Sequence, residues 1–154
     1  MPAGKPERTI AENRRARHDY HLLETLEAGI VLAGTEVKAA REGRVNLRDG
    51  FARVERGEVW LYNVHIAPYS HAGYAGHDPT RRRKLLLRRE EIRRLAGRTT
   101  ERGLTLVPVR MYLKGGRLKI ALSLARGKQA PDRRETIRRR EAEREARAAM
   151  KERR

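Results

Sequence analysis

The sequence has no cysteine, and its 154 residues include only one tryptophan and one phenylalanine. Without cysteine the chain forms neither a disulfide nor a thiolate, so disulfide scaffolds and cysteine catalysis are excluded and a zinc site is disfavoured. No apolar run approaches the ~18 residues of a membrane-spanning helix, and the first residues contain no apolar signal segment. We therefore expect a cytoplasmic protein with no membrane partner.

Acidic residues are also few: 20 Asp and Glu face 37 Lys and Arg, for a formal net charge of +17. Such a charge opposes compaction unless a polyanion neutralises it. Cations cluster at residues 14–17, 81–84 and 138–140. Clustered Lys and Arg are typical of nucleic-acid binding, and the guanidinium fork suits phosphate. The charge favours a nucleic acid as partner over the alternative, a basic but solvated surface.

Two turn signals predict β-hairpins. Residues 104–111 and 117–124 flank Lys114-Gly115-Gly116, and every other residue from 118 to 124 is Leu or Ile. That period of two predicts a strand with one buried face. Residues 51–62 are divided by Arg56-Gly57 in the same way.

Helical signals lie between the extended segments. Residues 10–17 predict a short helix, a second helix begins at Gly34-Thr35 with Thr35 as its N-cap and ends at Gly43, and a third covers residues 80–96. From Tyr20 the chain is expected to be extended, with Gly29 as a bulge or close backbone approach. The pattern predicts a mainly β protein with flanking helices, an OB-fold-like antiparallel β-barrel.

Three regions are expected. Residues 1–9 form a disordered N-terminus, residues 10–125 an RNA-binding barrel, and residues 126–154 a basic tail. The tail carries twelve Lys and Arg against six acids, and its only sizeable apolar residues are Ile137 and Met150. We expect it to be disordered alone and helical when it is seated in an anionic groove.

The signals of an enzyme are missing. The five histidines stand at no metal-ligand spacing, and neither a phosphate-binding glycine loop nor a nucleophile elbow occurs. We expect no catalytic residue, no metal and no cofactor. A metal-dependent nuclease using His71 or His77 is the alternative from a different class.

Five segments in order resemble the SsrA-binding protein (SmpB) family. They are NRRARHDY at 13–20, EAGI at 27–30, GTEVK at 34–38, DPTRRRKLLL at 78–87, and Gly127-Lys128 with Asp132-Arg133-Arg134. The resemblance implies an OB-fold protein that binds the tRNA-like domain of transfer-messenger RNA (tmRNA, or SsrA RNA). It implies delivery of that RNA to stalled ribosomes, rescue by trans-translation and tagging of the nascent peptide. It also implies a tail that occupies the small-subunit decoding centre and the empty mRNA channel.

The resemblance further implies particular contacts. On the RNA side, Tyr20 or His18 would stack on an unpaired base, Glu27 would accept from a base amino group or a 2′-hydroxyl, and Lys119 would meet phosphate. The RNA-binding residues it implies are Asn13, Arg14, His18, Tyr20, Glu27, Leu86 and Lys119. The ribosome-contacting residues are Gly127, Lys128, Asp132, Arg133 and Arg134.

The chain departs from the family at two tail positions. Pro131 stands where members often carry a histidine able to stack on a decoding-centre base, and Ala149-Met150 stands where some have Ile-Met. We expect a monomer. Two other binding functions compete with this one. The chain could be a general single-strand-binding protein, which its few aromatic residues disfavour, or a structural component of all ribosomes.

Overall fold

The structure is a computed structural model that describes residues 7–68, 77–101, 103–128 and 144–147. Strands dominate it. The elements are, in chain order, β1 (Arg8–Glu12), α1 (Arg14–Asp19), β2 (Tyr20–Ile30), α2 (Gly34–Arg41), β3 (Val45–Asn46), β4 (Phe51–Glu55), β5 (Glu58–Tyr62), β6 (His65–Ile66), β7 (Arg83–Leu86), α3 (Arg89–Thr99), β8 (Leu104–Lys114) and β9 (Arg117–Gly127).

Six of the strands close into a barrel. The main sheet has the order β1-β8-β4-β5-β7-β2-β9, and β8 also pairs with β9, which joins the sheet into a ring. Every pairing is antiparallel, β1 lies beside β8 outside the ring, and β3 pairs with β6 separately. The predicted fold, a mainly β barrel with flanking helices, is confirmed.

The interior of the barrel is aliphatic. Its main cluster of buried residues consists of Ala, Val, Leu, Ile and Met, and Leu106, Ile120 and Leu122 are completely buried. Burial of each such side chain stabilises the fold by about 1.5–3 kcal/mol. Because alternate residues of a strand face opposite ways, the same strands present polar and aromatic residues outside.

Both predicted hairpins form where the turn signals place them. Gly115 and Gly116 have φ of +59° and +77° between β8 and β9, and Arg56 and Gly57 have φ of +51° and +77° between β4 and β5. Two consecutive positive φ angles match the right-handed twist of paired strands, which is why glycine occurs here.

Two helix predictions need correction. The predicted helix over residues 10–17 is strand β1 followed by α1, which begins at Arg14. The predicted helix over residues 80–96 is strand β7 followed by α3. In β7, Leu85 faces the core whereas Leu86 is 51% exposed, a two-residue alternation that pairing with β2 and β5 imposes.

Of the two alternatives predicted for Gly29, a bulge or a close approach, the second is confirmed, since a Cβ there would lie 3.2 Å from the Cβ of Leu86. The bulge of β2 lies between Leu22 and Glu24. Thr35 is not the cap of α2. The N-cap residue is Ala33, whose N–H donates to Glu36 Oε1 at 2.9 Å.

Glu36 is the centre of a buried ionic network. Its side chain and that of Arg83 are both completely buried, and Arg83 Nε donates to Glu36 Oε2 at 2.6 Å. Arg81 also donates to Glu36, and Arg83 donates further to the carbonyls of Val64 and Pro79. Burial alone would raise the pKa of Glu36, but hydrogen bonds from Arg81, Ala33 and Arg83 outweigh it and lower the pKa.

The expected region boundaries also shift. Strand β1 begins at Arg8, so the expected disordered N-terminus does not extend over Arg8 and Thr9. Strand β9 continues to Gly127, and the N–H of Lys128 donates to the Asp19 carbonyl at 2.9 Å. The barrel therefore includes residues 126–128, which we had expected in the tail. Residues 144–147 are helical and exposed.

Candidate nucleic-acid interface

One group of cations lies at the end of the barrel where β9 ends. Arg14, Arg17, His18, Arg126 and Lys128 are exposed, and we call them the helix patch. The His18 ring is 88% exposed, with Nδ1 3.0 Å from Asp19 Oδ1. Within the described residues the four cationic side chains of this patch form no ion pair or hydrogen bond. They are therefore available to phosphate.

Asn13, the first of the predicted RNA-binding residues, is 3% exposed. Its Oδ1 accepts from the Ala16 N–H at 3.1 Å, and its Nδ2 donates to the carbonyls of Leu47 at 3.0 Å and Pro108 at 2.9 Å. All the polar atoms of its side chain bond within the protein, so Asn13 caps α1 and positions the helix patch.

Beside α1 lies a cleft of about 370 Å³ that contains the predicted Tyr20. Tyr20 is half-buried and packs against Ala16, Val107 and Ala125. The lining also includes Phe51, three arginines and two aspartates, which are Arg15, Arg48, Arg53, Asp19 and Asp49. An aromatic wall with guanidinium groups around it suits an unpaired base.

A second group lies near the other end of β2. Glu27, Leu86 and Lys119 are brought together because Gly29 pairs with both Leu86 on β7 and Lys119 on β9. We call these three residues with Tyr112 the sheet patch. Leu86 is 51% exposed and lies over Gly29, where the missing Cβ leaves room for it.

The carboxylate of Glu27 is held by its neighbours. The Tyr112 hydroxyl donates to Glu27 Oε2 at 2.6 Å, and Lys114 Nζ donates to the same oxygen at 3.1 Å. The hydrogen bond from Tyr112, together with Lys114 and Lys119, lowers the pKa of Glu27. Burial and the same hydrogen bond raise the pKa of Tyr112. Glu27 is thus an oriented, ionised acceptor, and its Oε1 takes part in no hydrogen bond within the described residues.

Sequence reasoning missed Tyr112, because its partner Glu27 is 85 positions away. The structure also divides the seven predicted RNA-binding residues between two places on the barrel. Tyr20 and Glu27 are seven residues apart in one strand, which corresponds to about 23 Å along β2. The helix patch and the sheet patch are therefore separate contact areas.

Of the predicted ribosome-contacting residues, Gly127 ends β9 opposite Tyr20, and Lys128 follows it beside Asp19. Asp132, Arg133 and Arg134 lie outside the described residues. His71 of the nuclease alternative also lies outside them, and His77 contacts the Thr35 hydroxyl and the Ile66 carbonyl.

Among the described residues, no group of three His, Cys, Asp or Glu side chains could hold a metal ion. No helix in the part of the chain that the structure describes has the length and apolar character to cross a membrane.

Comparisons with known proteins all match this chain to SmpB, the SsrA-binding protein. The family model described as SmpB protein matches residues 10–152. The SsrA-binding protein of Roseiflexus castenholzii is 57% identical over 148 residues, 96% of this chain and 94% of that protein. That of Geobacillus thermodenitrificans is 54% identical over 153 residues, 99% and 98% of the two chains. A chain in the solved structure described as "tmRNA-SmpB: a journey to the center of the bacterial ribosome" matches with TM-score 0.66 and 56% identity, covering 77% of this chain and 83% of that chain.

Proposed function

The chain belongs to the SmpB protein family, and on that premise we propose that it binds tmRNA and delivers it to stalled ribosomes, which trans-translation then rescues. The observation that carries the proposal is the 54–57% identity with SsrA-binding proteins over nearly the whole chain. The net charge of +17 supports a polyanionic partner.

The sheet patch is assigned to the tRNA-like domain of tmRNA. Lys119 contributes a cation for phosphate and Leu86 an exposed apolar surface for a sugar or an unstacked base. Glu27 accepts from a base amino group or a 2′-hydroxyl. A bare carboxylate would repel RNA, but Tyr112 and Lys114 offset its charge and fix its direction.

The helix patch is assigned to the ribosomal side. The backbone N–H of Lys128 donates to the carbonyl of Asp19, the last residue of α1, so the described part of the chain after β9 ends beside the helix that carries Arg14 and His18. A tail that enters the small-subunit decoding centre and mRNA channel would bring these cations against ribosomal RNA. Asp132, Arg133 and Arg134 remain the predicted contacts of the tail itself.

In this function the protein is a cytoplasmic adaptor that binds RNA and performs no reaction of its own. Purified protein that cleaved RNA in a divalent-metal-dependent way, with loss of cleavage on His77→Ala, would contradict the proposal and support the nuclease alternative.

The most direct test is to isolate the protein from cells and sequence the RNA bound to it. We expect tmRNA to be enriched far above its cellular share. Recovery with all ribosomes and without tmRNA would identify a structural ribosomal component, and an unselective RNA population would identify a general RNA-binding protein.

A further inference from the structure

The outward sides of β4, β5 and β7 carry the chain's only Trp and only Phe. Aromatic residues usually contribute large areas to a core, but this core is aliphatic. Alternation along the three strands explains the placement, since their inward residues are Ala52, Val59, Leu61 and Leu85. We call the outward set the hairpin face: Phe51, Arg53, Trp60, Tyr62, Arg82 and Lys84.

Arginines lie over the rings of this face. The guanidinium carbon of Arg82 is 4.2 Å from the centre of the Trp60 ring. That of Arg53 is 5.2 Å from the Phe51 ring and 5.8 Å from the Tyr62 ring, and these two rings stack at 5.4 Å with planes 13° apart. Each contact leaves the outer side of a guanidinium open, a surface on which nucleic-acid bases stack.

Two acids orient the cations of the hairpin face without cancelling them. Glu55 accepts from the Tyr62 hydroxyl at 2.5 Å and lies 3.5 Å from Arg82, and Glu58 lies 2.6 Å from Lys84. Arg53 has no acidic partner among the described residues, and the exposed Arg56 of the turn adds another cation. The surface is thus prearranged and retains positive charge, which suits RNA better than an apolar protein partner.

The hairpin face is continuous with the sheet patch through β7. Lys84 and Leu86 lie on the same side of that strand, Lys84 opposite Trp60 and Leu86 opposite Gly29. In the closed six-stranded ring β5 lies two strands and β4 three strands from β2, so the hairpin face follows the curve of the barrel away from the sheet patch. An RNA bound at the sheet patch therefore meets Lys84 and Trp60 first and has to curve around the barrel to reach Phe51 and Arg53.

We propose that the hairpin face is a second contact area for the same tRNA-like RNA, with bases stacked on the Arg82–Trp60 and Arg53–Phe51 pairs. This rests on the proposed function, since it needs that RNA to occupy the sheet patch. It assigns a role to the aromatic residues that the sequence resemblance does not include among the RNA contacts.

The single Trp gives a direct probe. Trp60 emission is followed as unlabelled tRNA-like RNA is added to the full-length protein, and acrylamide quenching is measured before and after saturation. Binding itself is monitored separately by the anisotropy of labelled RNA. We expect the quenching constant of Trp60 to fall about twofold or more because stacking covers the side chain.

Different results would contradict the proposed function and the hairpin-face proposal. No binding by anisotropy would contradict the proposed function itself. Tight binding with unchanged Trp60 quenching would overturn only the hairpin-face proposal. Protection of Trp60 that appears only when ribosomes are added would overturn it as well, by assigning the face to a ribosomal partner.

Two double variants that remove the same amount of charge distinguish a general loss of charge from the loss of contacts at the hairpin face. Arg53→Gln with Arg82→Gln removes two guanidinium groups from the hairpin face, and Arg89→Gln with Arg93→Gln removes two exposed arginines from α3. We expect the first pair to weaken RNA binding about tenfold more than the second, because only it removes stacking surfaces. Equal losses would contradict the proposal.

Discussion

At the residue scale, Asn13 shows how one buried side chain positions a surface. It caps α1 and ties that helix to the carbonyls of Leu47 and Pro108. We expect Asn13→Ala to lower the free energy of unfolding by about 2–3 kcal/mol, from the lost cap and two unpaired carbonyls. Urea unfolding measures this, with the exposed Asn46→Ala as the control. Parent-like stability combined with lost RNA affinity would support Asn13 as a direct RNA contact.

Glu36 is expected to contribute stability that depends on pH. Its folded pKa lies below its ordinary value, so the stabilisation is present above about pH 4.5 and is lost as the pH falls through the folded pKa. Glu36→Gln should cost about 3–5 kcal/mol at neutral pH because Arg83 stays buried without its counter-ion. The loss of stability on acidification should also become shallower in the variant.

The control for Glu36 is Glu42→Gln, which removes an exposed carboxylate 3.3 Å from Arg44. We expect it to change the free energy of unfolding by about 0.5 kcal/mol or less. Equal effects of the two variants, measured by urea unfolding between pH 3 and 7, would show that the buried network contributes no more than a surface pair.

Gly29 is expected to matter for binding more than for stability. In Gly29→Ala the new Cβ would lie 3.2 Å from the Leu86 Cβ, so Leu86 must shift within the sheet patch. We expect RNA affinity to fall about tenfold with little change in melting temperature. Gly97→Ala is the control, because a Cβ there meets nothing within 4 Å and alanine favours a helix. Unchanged affinity in Gly29→Ala would remove Leu86 from the interface.

At the element scale, the sequence predicts the elements whose structure depends on neighbouring residues, such as tight turns. The turns at Arg56-Gly57 and Gly115-Gly116 were predictable because positive φ favours glycine. The division of residues 80–96 into β7 and α3 was not, because the apolar residues Leu85, Leu86, Ile92 and Leu95 also fit a helical face. Pairing of β7 with β2 and β5 decides between them, and that pairing is not encoded locally.

The candidate site was likewise only partly predictable from the sequence. Glu27, Leu86 and Lys119 of the sheet patch were found through resemblance, whereas Tyr112 was missed, and the geometry of all four depends on strand register between distant segments. Glu36 and Arg83 are 47 positions apart, and nothing in the sequence shows that these two charged residues lie together in the interior.

The end of β9 gives a prediction about truncation. A chain cut after Lys128 keeps the pairing of Gly127 with Tyr20 and the hydrogen bond to Asp19, whereas a cut after Ala125 removes both. We expect the longer fragment to melt like the full chain and to bind tmRNA while failing to support tagging. The shorter fragment should melt lower. If the longer fragment binds no RNA, the division between barrel and tail is wrong.

At the scale of the whole molecule, the charge is distributed so that the acids mainly orient the cations. Glu55, Glu58 and Glu27 each pair with a Lys or Arg on the outer surface of the barrel. In the described ranges the Lys and Arg side chains of the helix patch have no acidic partner, and only its His18 contacts one, Asp19. Phosphate contacts release counter-ions, with a slope of about −0.7 to −0.9 per contact in log affinity against log salt. Affinity alone therefore does not distinguish tmRNA from any other RNA, and selectivity must come from the oriented groups.

The central claim is that these oriented groups recognise a folded tRNA-like RNA. The most direct measurement compares dissociation constants of the full chain for the tRNA-like domain of tmRNA and for duplex RNA of equal length, over a series of salt concentrations. The account predicts that both affinities fall with salt while the tRNA-like RNA stays tighter by at least about tenfold, or 1.4 kcal/mol. Equal affinities at every salt concentration would contradict it.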